Sequence, residues 1–187
     1  MKVTGGTAKG RKLRTPSGKS VRLTADRVKG ALFDLLPDPA GTAFLELFAG
    51  TGNVAIEALS RGARRAVLVE RDAKLVDLIS ENLSACGVGQ RAGVISAPVE
   101  RILPFLAGKE ELFDVVFADP PYEKGMAGET LCLPGLESLL APGAVVVVEH
   151  SFRENLGDRY GSLVLRDRRK YGDTVLSLYG MEKDEQR

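Results

Sequence analysis

The chain is short of the residues that staple or ligate. Its 187 residues hold two cysteines, Cys86 and Cys132, far apart, and a single histidine, His150. That set provides neither a disulfide framework nor a metal site, and both cysteines read as small buried hydrophobes. No apolar run approaches the roughly 18 residues of a membrane helix, and no signal-peptide pattern is present. The expectation is a cytoplasmic protein with no membrane partner. Internal repeats and low-complexity tracts are also absent, so solenoids and disordered arrays are excluded.

What remains is an ordinary globular composition, 44% hydrophobic and 27% charged, in a length that suits one domain. Net charge is only +1, but Met1 to Lys29 carries nine Lys or Arg against one acid, Asp26. A basic segment on a near-neutral protein points to a polyanion, most simply nucleic acid. The competing reading is a solvated surface strand pair. Lys2–Gly6 and Arg11–Arg14 flank a turn-rich Gly6–Gly10, which predicts a β-hairpin bearing Lys2, Lys9, Arg11, Lys12 and Arg14. Pro16-Ser17-Gly18 breaks the pattern, and Thr24 suits the cap of a helix through Val28, Leu32 and Leu35. Asp26, Arg27 and Lys29 at its start face either a substrate or water.

Ala43 to Leu59, AFLELFAGTGNVAIEAL, organises the rest. An apolar run, Gly50-Thr51-Gly52, then Val54, Ile56, Ala58 and Leu59 read as a buried strand, a glycine turn and a helix. Glycines let backbone approach a ligand closely, and a helix start offers free N–H groups. Gly50, Gly52 and Ala55 also fit a loose dinucleotide fingerprint, with Glu70 placed to hold a ribose. Alone, this stretch is a nucleotide-type site of unspecified cofactor, or a plain structural turn.

Further strands are predicted at Ala66–Val69, Gly93–Ile95, Phe113–Ala118 and Ala144–Val148, with a terminal antiparallel pair at Leu163–Arg166 and Thr174–Tyr179. Helices are predicted on the Leu75, Leu78, Ile79, Leu83 stripe, over Val99–Leu106 and around Leu131–Leu140. This alternation implies a mostly parallel sheet with helices on both faces. Ligands of such sheets sit beyond the carboxyl ends of the strands, so Gly50–Asn53, Glu70, the turn before Val99 and Asp119–Tyr122 are expected to line one crevice.

The last of these, Asp119-Pro120-Pro121-Tyr122, is the most informative. Two prolines fix φ, remove two N–H donors and hold the preceding residue extended. The Asp119 carboxylate and the Asp119 and Pro120 carbonyls then form a stiff set of acceptors, with the flat face of Tyr122 beside them. A planar amine-bearing group fits such a set. The competing reading is a rigid proline turn. His150, at the end of the strongest strand, reads first as structural.

ELFAGTG, VLVERD, FDVVFADPPY and VVVVEHS, in this order, resemble the class I S-adenosylmethionine-dependent methyltransferases that modify exocyclic or amide nitrogens. GGTAKGRKL, LTADRVKGALFDLL, EALSRGA and YGDTVLSLY narrow the resemblance to the RsmD family of 16S ribosomal RNA guanine-N2 methyltransferases, over nearly the whole chain. It implies a Rossmann-like fold with a mostly parallel seven-stranded sheet. Residues 1–23 would be a basic hairpin extension, 24–181 the methyltransferase domain and 182–187 a polar tail. S-adenosyl-L-methionine would lie against Glu46, Phe48, Gly50, Gly52, Asn53, Glu70, Arg71, Val99 and Asp119, with Glu70 on the ribose and Arg71 beside the adenine.

Asp119, Pro120, Pro121 and Tyr122 would act on the amine, and Lys9, Arg11, Lys12, Arg14 and Arg27 on RNA phosphates. The implied partner is ribosomal RNA within a small-subunit particle, and the implied state a monomer. Departures from the family pattern are Glu46 for a commoner aspartate, Ala55 for a third glycine, Pro98 where an adenine-edge acid is frequent, and Leu23 and Gly30 in the N-terminal helix segment. The motifs also admit N6-adenine or glutamine-amide transfer, a nicotinamide oxidoreductase, or an RNA-binding assembly factor without catalysis.

Overall fold

The computed structural model describes residues 1–16, 26–109, 111–122 and 125–182. The predicted Thr24 cap, the Ser17-Gly18 turn, Leu23 and most of the polar tail lie outside them. The chain divides into two compact units, Met1–Val99 and Glu100–Arg187.

In the first unit, helix α1 (Asp26–Leu35) precedes β1 (Ala43–Leu47), α2 (Asn53–Ser60), β2 (Arg65–Glu70), α3 (Ala73–Ala85) and β3 (Ala92–Ser96). The strands run parallel in the order β3-β2-β1, Leu45 opposite Val67 and Val67 opposite Gly93. All five residues of β1 and all eight of α2 are buried. That explains why this stretch reads as apolar throughout rather than as a striped helix. Asp72 caps α3 by accepting the Lys74 N–H at 2.9 Å.

The predicted hairpin is a tight excursion, not a pair of strands. Its only bridge pairs Lys2 with Lys12, supported by Val3 N–H to Arg11 O and Gly10 N–H to Val3 O, both 2.9 Å. Val3, Ala8 and Leu13 point inward and are buried, while Lys2, Lys9, Arg11, Lys12 and Arg14 are exposed. The anchor is polar as well. Thr4 donates its N–H and its hydroxyl to the two Glu57 carboxylate oxygens, each at 2.8 Å. Thr7 N–H reaches Ser60 O and Ala8 N–H reaches Ser60 Oγ, also at 2.8 Å. Gly6 has φ 73°, and a Cβ there would overlap the Ser60 carbonyl. Only glycine permits that approach.

The second unit contains α4 (Val99–Ala107), β4 (Phe113–Ala118), α5 (Met126–Leu131), β5 (Leu140–Ser151), β6 (Arg159–Tyr160), β7 (Leu163–Tyr171) and β8 (Thr174–Met181). Its strands lie in the order β4-β5-β8-β7-β6, with β4 and β5 parallel and the rest antiparallel. The helix expected around Leu131–Leu140 ends earlier. Gly135 turns the chain at φ 90° beside the Leu103 carbonyl, and only a short 3₁₀ turn, Glu137–Leu139, follows. Strand β5 runs through Pro142-Gly143, where a turn was predicted. A shift in its pairing with β4 accommodates these residues, with Gly143 at φ 80°. The cysteines also depart from expectation, since Cys86 is half-buried and Cys132 exposed. Among the described residues no helix is long and apolar enough to cross a membrane.

Candidate active site

In the first unit the chain leaves β1 through Phe48, the one non-glycine residue with positive φ (57°) among those described. Gly50 (φ 57°) and Gly52 (φ 72°) complete a loop that L side chains rarely follow, and the strain at Phe48 marks it as a built feature. Two carboxylates hold this loop. Glu70 Oε2 accepts the Gly50 N–H at 2.8 Å, while Oε1 accepts Arg71 N–H at 2.8 Å and Asp72 N–H at 3.0 Å. Glu46 Oε2 accepts the Ala55 N–H at 2.9 Å. No side chain of the loop caps α2, so the β1 carboxylate serves its first turn instead. Burial pushes Glu46 up to about 8, against the opposing pull of the Ala55 and Val54 N–H groups.

The predicted cofactor residues Glu46, Phe48, Gly50, Gly52, Asn53 and Glu70 therefore share one loop and its two flanking strand ends. Arg71 is exposed immediately beyond, and Val99 is buried where β3 gives way to α4. Gly52 also lies against the core. A Cβ there would meet Leu68 Cδ2 at 3.0 Å and Ile79 Cγ2 at 3.3 Å, so a larger side chain collides with the core.

Asn53 opens α2, buried, with Oδ1 accepting from Lys29 Nζ at 2.7 Å. Its Nδ2 has no hydrogen-bond partner, the one such buried side-chain atom among the described residues. Lys29 was expected to face substrate or water; it does neither. It is fully buried, donating also to Lys2 O at 2.6 Å and lying 3.1 Å from Glu57 Oε2. Burial raises the Glu57 carboxyl, but the Thr4 N–H, Lys29 and Arg61 outweigh it and hold it below its usual range. Neither Glu57 nor Ser60 was singled out from sequence. The available signal was two polar residues at i, i+3 in a helix that is apolar apart from these and its first residue, Asn53. Arg27, by contrast, is exposed.

In the second unit β4, buried over most of its length, delivers Asp119-Pro120-Pro121-Tyr122. Pro120 is buried, Asp119 and Tyr122 are half-buried, and Pro121 is exposed. The Tyr122 hydroxyl donates to Glu149 Oε1 at 3.1 Å and lies 3.4 Å from Thr174 Oγ1. Glu149 and Thr174, both buried, come from near the end of β5 and the start of β8 and hold the hydroxyl end of the ring. This partnership was not visible in the sequence, because its members are remote along the chain. His150 points elsewhere: Nδ1 donates to Ser151 O and Nε2 accepts from Ser177 Oγ, each at 2.9 Å. Burial lowers its affinity for a proton, and its place is structural.

The first unit thus offers a glycine loop beside two acids, and the second a proline-stiffened loop of acceptors. The family model described as "Conserved hypothetical protein 95", that of the RsmD family, matches residues 1–180. The chain belongs to this family. It is 35% identical over 180 residues to YlbH of Bacillus subtilis (strain 168), covering 96% of this chain and 98% of that one. To ribosomal RNA small subunit methyltransferase D of Escherichia coli (strain K12) it is 33% identical over 183 residues, 97% and 90% of the two chains. The solved structure of Escherichia coli yhhF superposes with a TM-score of 0.83 at 33% identity, covering 97% and 98%. This RsmD-family chain thus has the class I methyltransferase fold, with eight strands named among its described residues rather than seven.

Proposed function

We propose that the protein transfers a methyl group from S-adenosylmethionine to the exocyclic N2 of a guanine in small-subunit ribosomal RNA. One observation carries the choice of an amine acceptor: Asp119-Pro120-Pro121-Tyr122 leaves a buried strand with its ring anchored by Glu149 and Thr174. The loop at Gly50–Gly52 suits the cofactor. The unmatched Asn53 Nδ2 needs an acceptor oxygen such as a carboxylate provides, and Glu70 Oε2 keeps lone-pair capacity for a ribose hydroxyl. Glu46, Phe48, Gly50 and Gly52 would border the methionine moiety, Arg71 and Val99 the adenine, and Asp119 the side facing the acceptor. The cofactor, when bound, supplies an electrophilic methyl group on a sulfonium.

Asp119 and the Pro120 carbonyl accept the two amine N–H bonds and turn the nitrogen toward the methyl carbon. The guanine N2 lone pair is delocalised into its ring, so orientation and electrostatic support of the growing positive charge supply most of the acceleration. With the cofactor bound, the nitrogen would take the methyl group as the carbon–sulfur bond breaks, S-adenosylhomocysteine leaving and the surplus proton passing to Asp119 or to solvent. Tyr122 stacks on the extruded base. Lys9, Arg11, Lys12, Arg14 and Arg27 hold phosphates and contribute affinity rather than sequence reading. In this reading residues 1–23 are an RNA-facing extension of a methyltransferase domain spanning 24–181. The enzyme works as a cytoplasmic monomer on RNA in a small-subunit particle.

Tritium transfer from labelled cofactor to small-subunit particles, naked RNA, DNA and protein, followed by digestion to nucleosides, tests this. The expected product is N2-methylguanosine in RNA. Label in N6-methyladenine of DNA, in glutamine, or nowhere would replace the reading.

A further inference from the structure

Outside the loops already described, the second unit displays a large aromatic ring to solvent. Phe152 is 42% exposed, immediately after the strand end that carries Glu149 and His150. Two cations attend it: Lys170 Nζ lies 4.2 Å from the ring centroid and Arg153 Cζ 5.6 Å. Lys170 belongs to β7, whose exposed outer residues Arg166, Arg168, Arg169 and Lys170 form a basic run with one acid, Asp167, among them. Arg169 is engaged by Asp167 at 2.9 Å, and Arg168 and Arg166 donate to Leu156 O and Met181 O, each at 2.7 Å, so Lys170 is the cation of this strand directed to the ring.

Position gives this patch its meaning. Phe152 N–H donates to Asp173 O at 3.0 Å, while the Tyr122 hydroxyl lies against Thr174, the next residue. Phe152 through its backbone and Tyr122 through its hydroxyl are thus tied to consecutive residues, Asp173 in the turn after β7 and Thr174 at the start of β8. Phe105 offers a contrast: it is 58% exposed with Lys109 Nζ 4.4 Å from its ring, but sits on α4, remote in sequence from the turn between β7 and β8. A ring capped by a lysine there is ordinary masking of an apolar surface.

We propose that Phe152, flanked by Lys170 and Arg153, is a second stacking platform for single-stranded RNA. It takes a base near the nucleotide presented to Tyr122 along the strand, and the inference rests on the RNA-acceptor reading above. An incoming base displaces the lysine from the ring face, and the freed ammonium meets the neighbouring phosphate. Stacking of this kind is indifferent to base identity, so the patch adds affinity and holds the strand taut beside the target without reading its sequence.

The chain contains no tryptophan, so Phe152→Trp makes a single-tryptophan protein whose emission, excited at the red edge where its tyrosines do not absorb, reports this site alone. Titration with unlabelled single-stranded RNA should quench that emission, saturating at the RNA concentration where anisotropy of a fluorescein-labelled copy saturates. Phe152→Ala should weaken RNA binding about five- to hundredfold, and Phe152→Leu nearly as much, because a branched aliphatic offers no π face. Lys170→Ala should flatten the salt dependence by about one phosphate contact. Phe105→Ala should change nothing, and calorimetric affinity for S-adenosylmethionine should be unaltered in all. Emission that stays unquenched while the wild-type protein binds RNA would overturn the platform alone. Binding to small-subunit particles but not to single-stranded RNA would also overturn the platform alone, whereas a wild-type protein that binds neither would overturn the acceptor reading and the platform with it.

Discussion

Lys29→Met tests the support beneath the hairpin. The ammonium lies 2.6 Å from Lys2 O, 2.7 Å from Asn53 Oδ1 and 3.1 Å from Glu57 Oε2, and both Lys29 and Glu57 side chains are fully buried. Methionine fills a similar volume without charge, so the cavity contribution is small. What remains is a buried carboxylate that has lost its ammonium, which ordinarily costs about 3–5 kcal/mol. Glu57 keeps Thr4 and the partly exposed Arg61 guanidinium at 2.9 Å, which places the loss at the lower end, about 3 kcal/mol. The midpoint of urea unfolding, with the slope unchanged, measures it. RNA affinity should fall too, since Lys2 O and Thr4 tie the hairpin to this cluster. Lys29→Met combined with Glu57→Gln should recover part of the stability, because no uncompensated charge is then buried. A loss under about 1 kcal/mol in the single variant, the worth of an exposed ion pair, would refute the reasoning.

Tyr122→Phe keeps the stacking face but removes the hydroxyl from buried Glu149, so it should lower unfolding stability by about 1.5–3 kcal/mol, whereas Tyr122→Ala should also raise KM for RNA. Equal melting of wild type and Tyr122→Phe would show the contact to be idle. Glu46, raised in the folded state from 4.5 to about 8, contributes stability that is complete below its unfolded value and lost as pH rises toward 8. Glu46→Gln cannot ionise and can still accept from Ala55, so its stability relative to wild type should improve steadily across that window; a constant gap by chemical denaturation would contradict the burial argument. Replacing Lys9, Arg11, Lys12 and Arg14 together by Ala should weaken RNA binding and flatten its salt slope with little change in cofactor affinity, and an unaltered slope would make the hairpin a solvated surface only.

The strands of the first unit were legible because each is a short apolar run closed by a turn residue. Ala43–Leu47, Arg65–Glu70 and Phe113–Ala118 in the second unit fall where hydrophobicity places them. Gly50 and Gly52 were readable as a glycine turn because positive φ selects glycine. Phe48 shares that conformation and was not read as strained, since an aromatic residue gives no local sign of it. Lys29 was misplaced because a lysine near a helix start looks solvated; only the fold brings Glu57 and Asn53 to it. The same limit hid Glu149 and Thr174, whose service to Tyr122 is set by strand order rather than by neighbours in sequence. The extent of β5 was missed for a different reason: Pro142-Gly143 signals a turn locally, while an irregularity in strand pairing accommodates it within the sheet.

The most direct measurement is single-turnover methyl transfer to small-subunit particles by Asp119→Ala, with cofactor binding followed in parallel by calorimetry. The substituted loop keeps its prolines and the Tyr122 anchor, so the variant should fold and retain most of its affinity for S-adenosylmethionine. Losing a charged partner of the amine in a desolvated site is worth about 1.5–3 kcal/mol, so the rate should drop at least about tenfold. Near-normal turnover would contradict the account and leave the loop acting through its backbone alone.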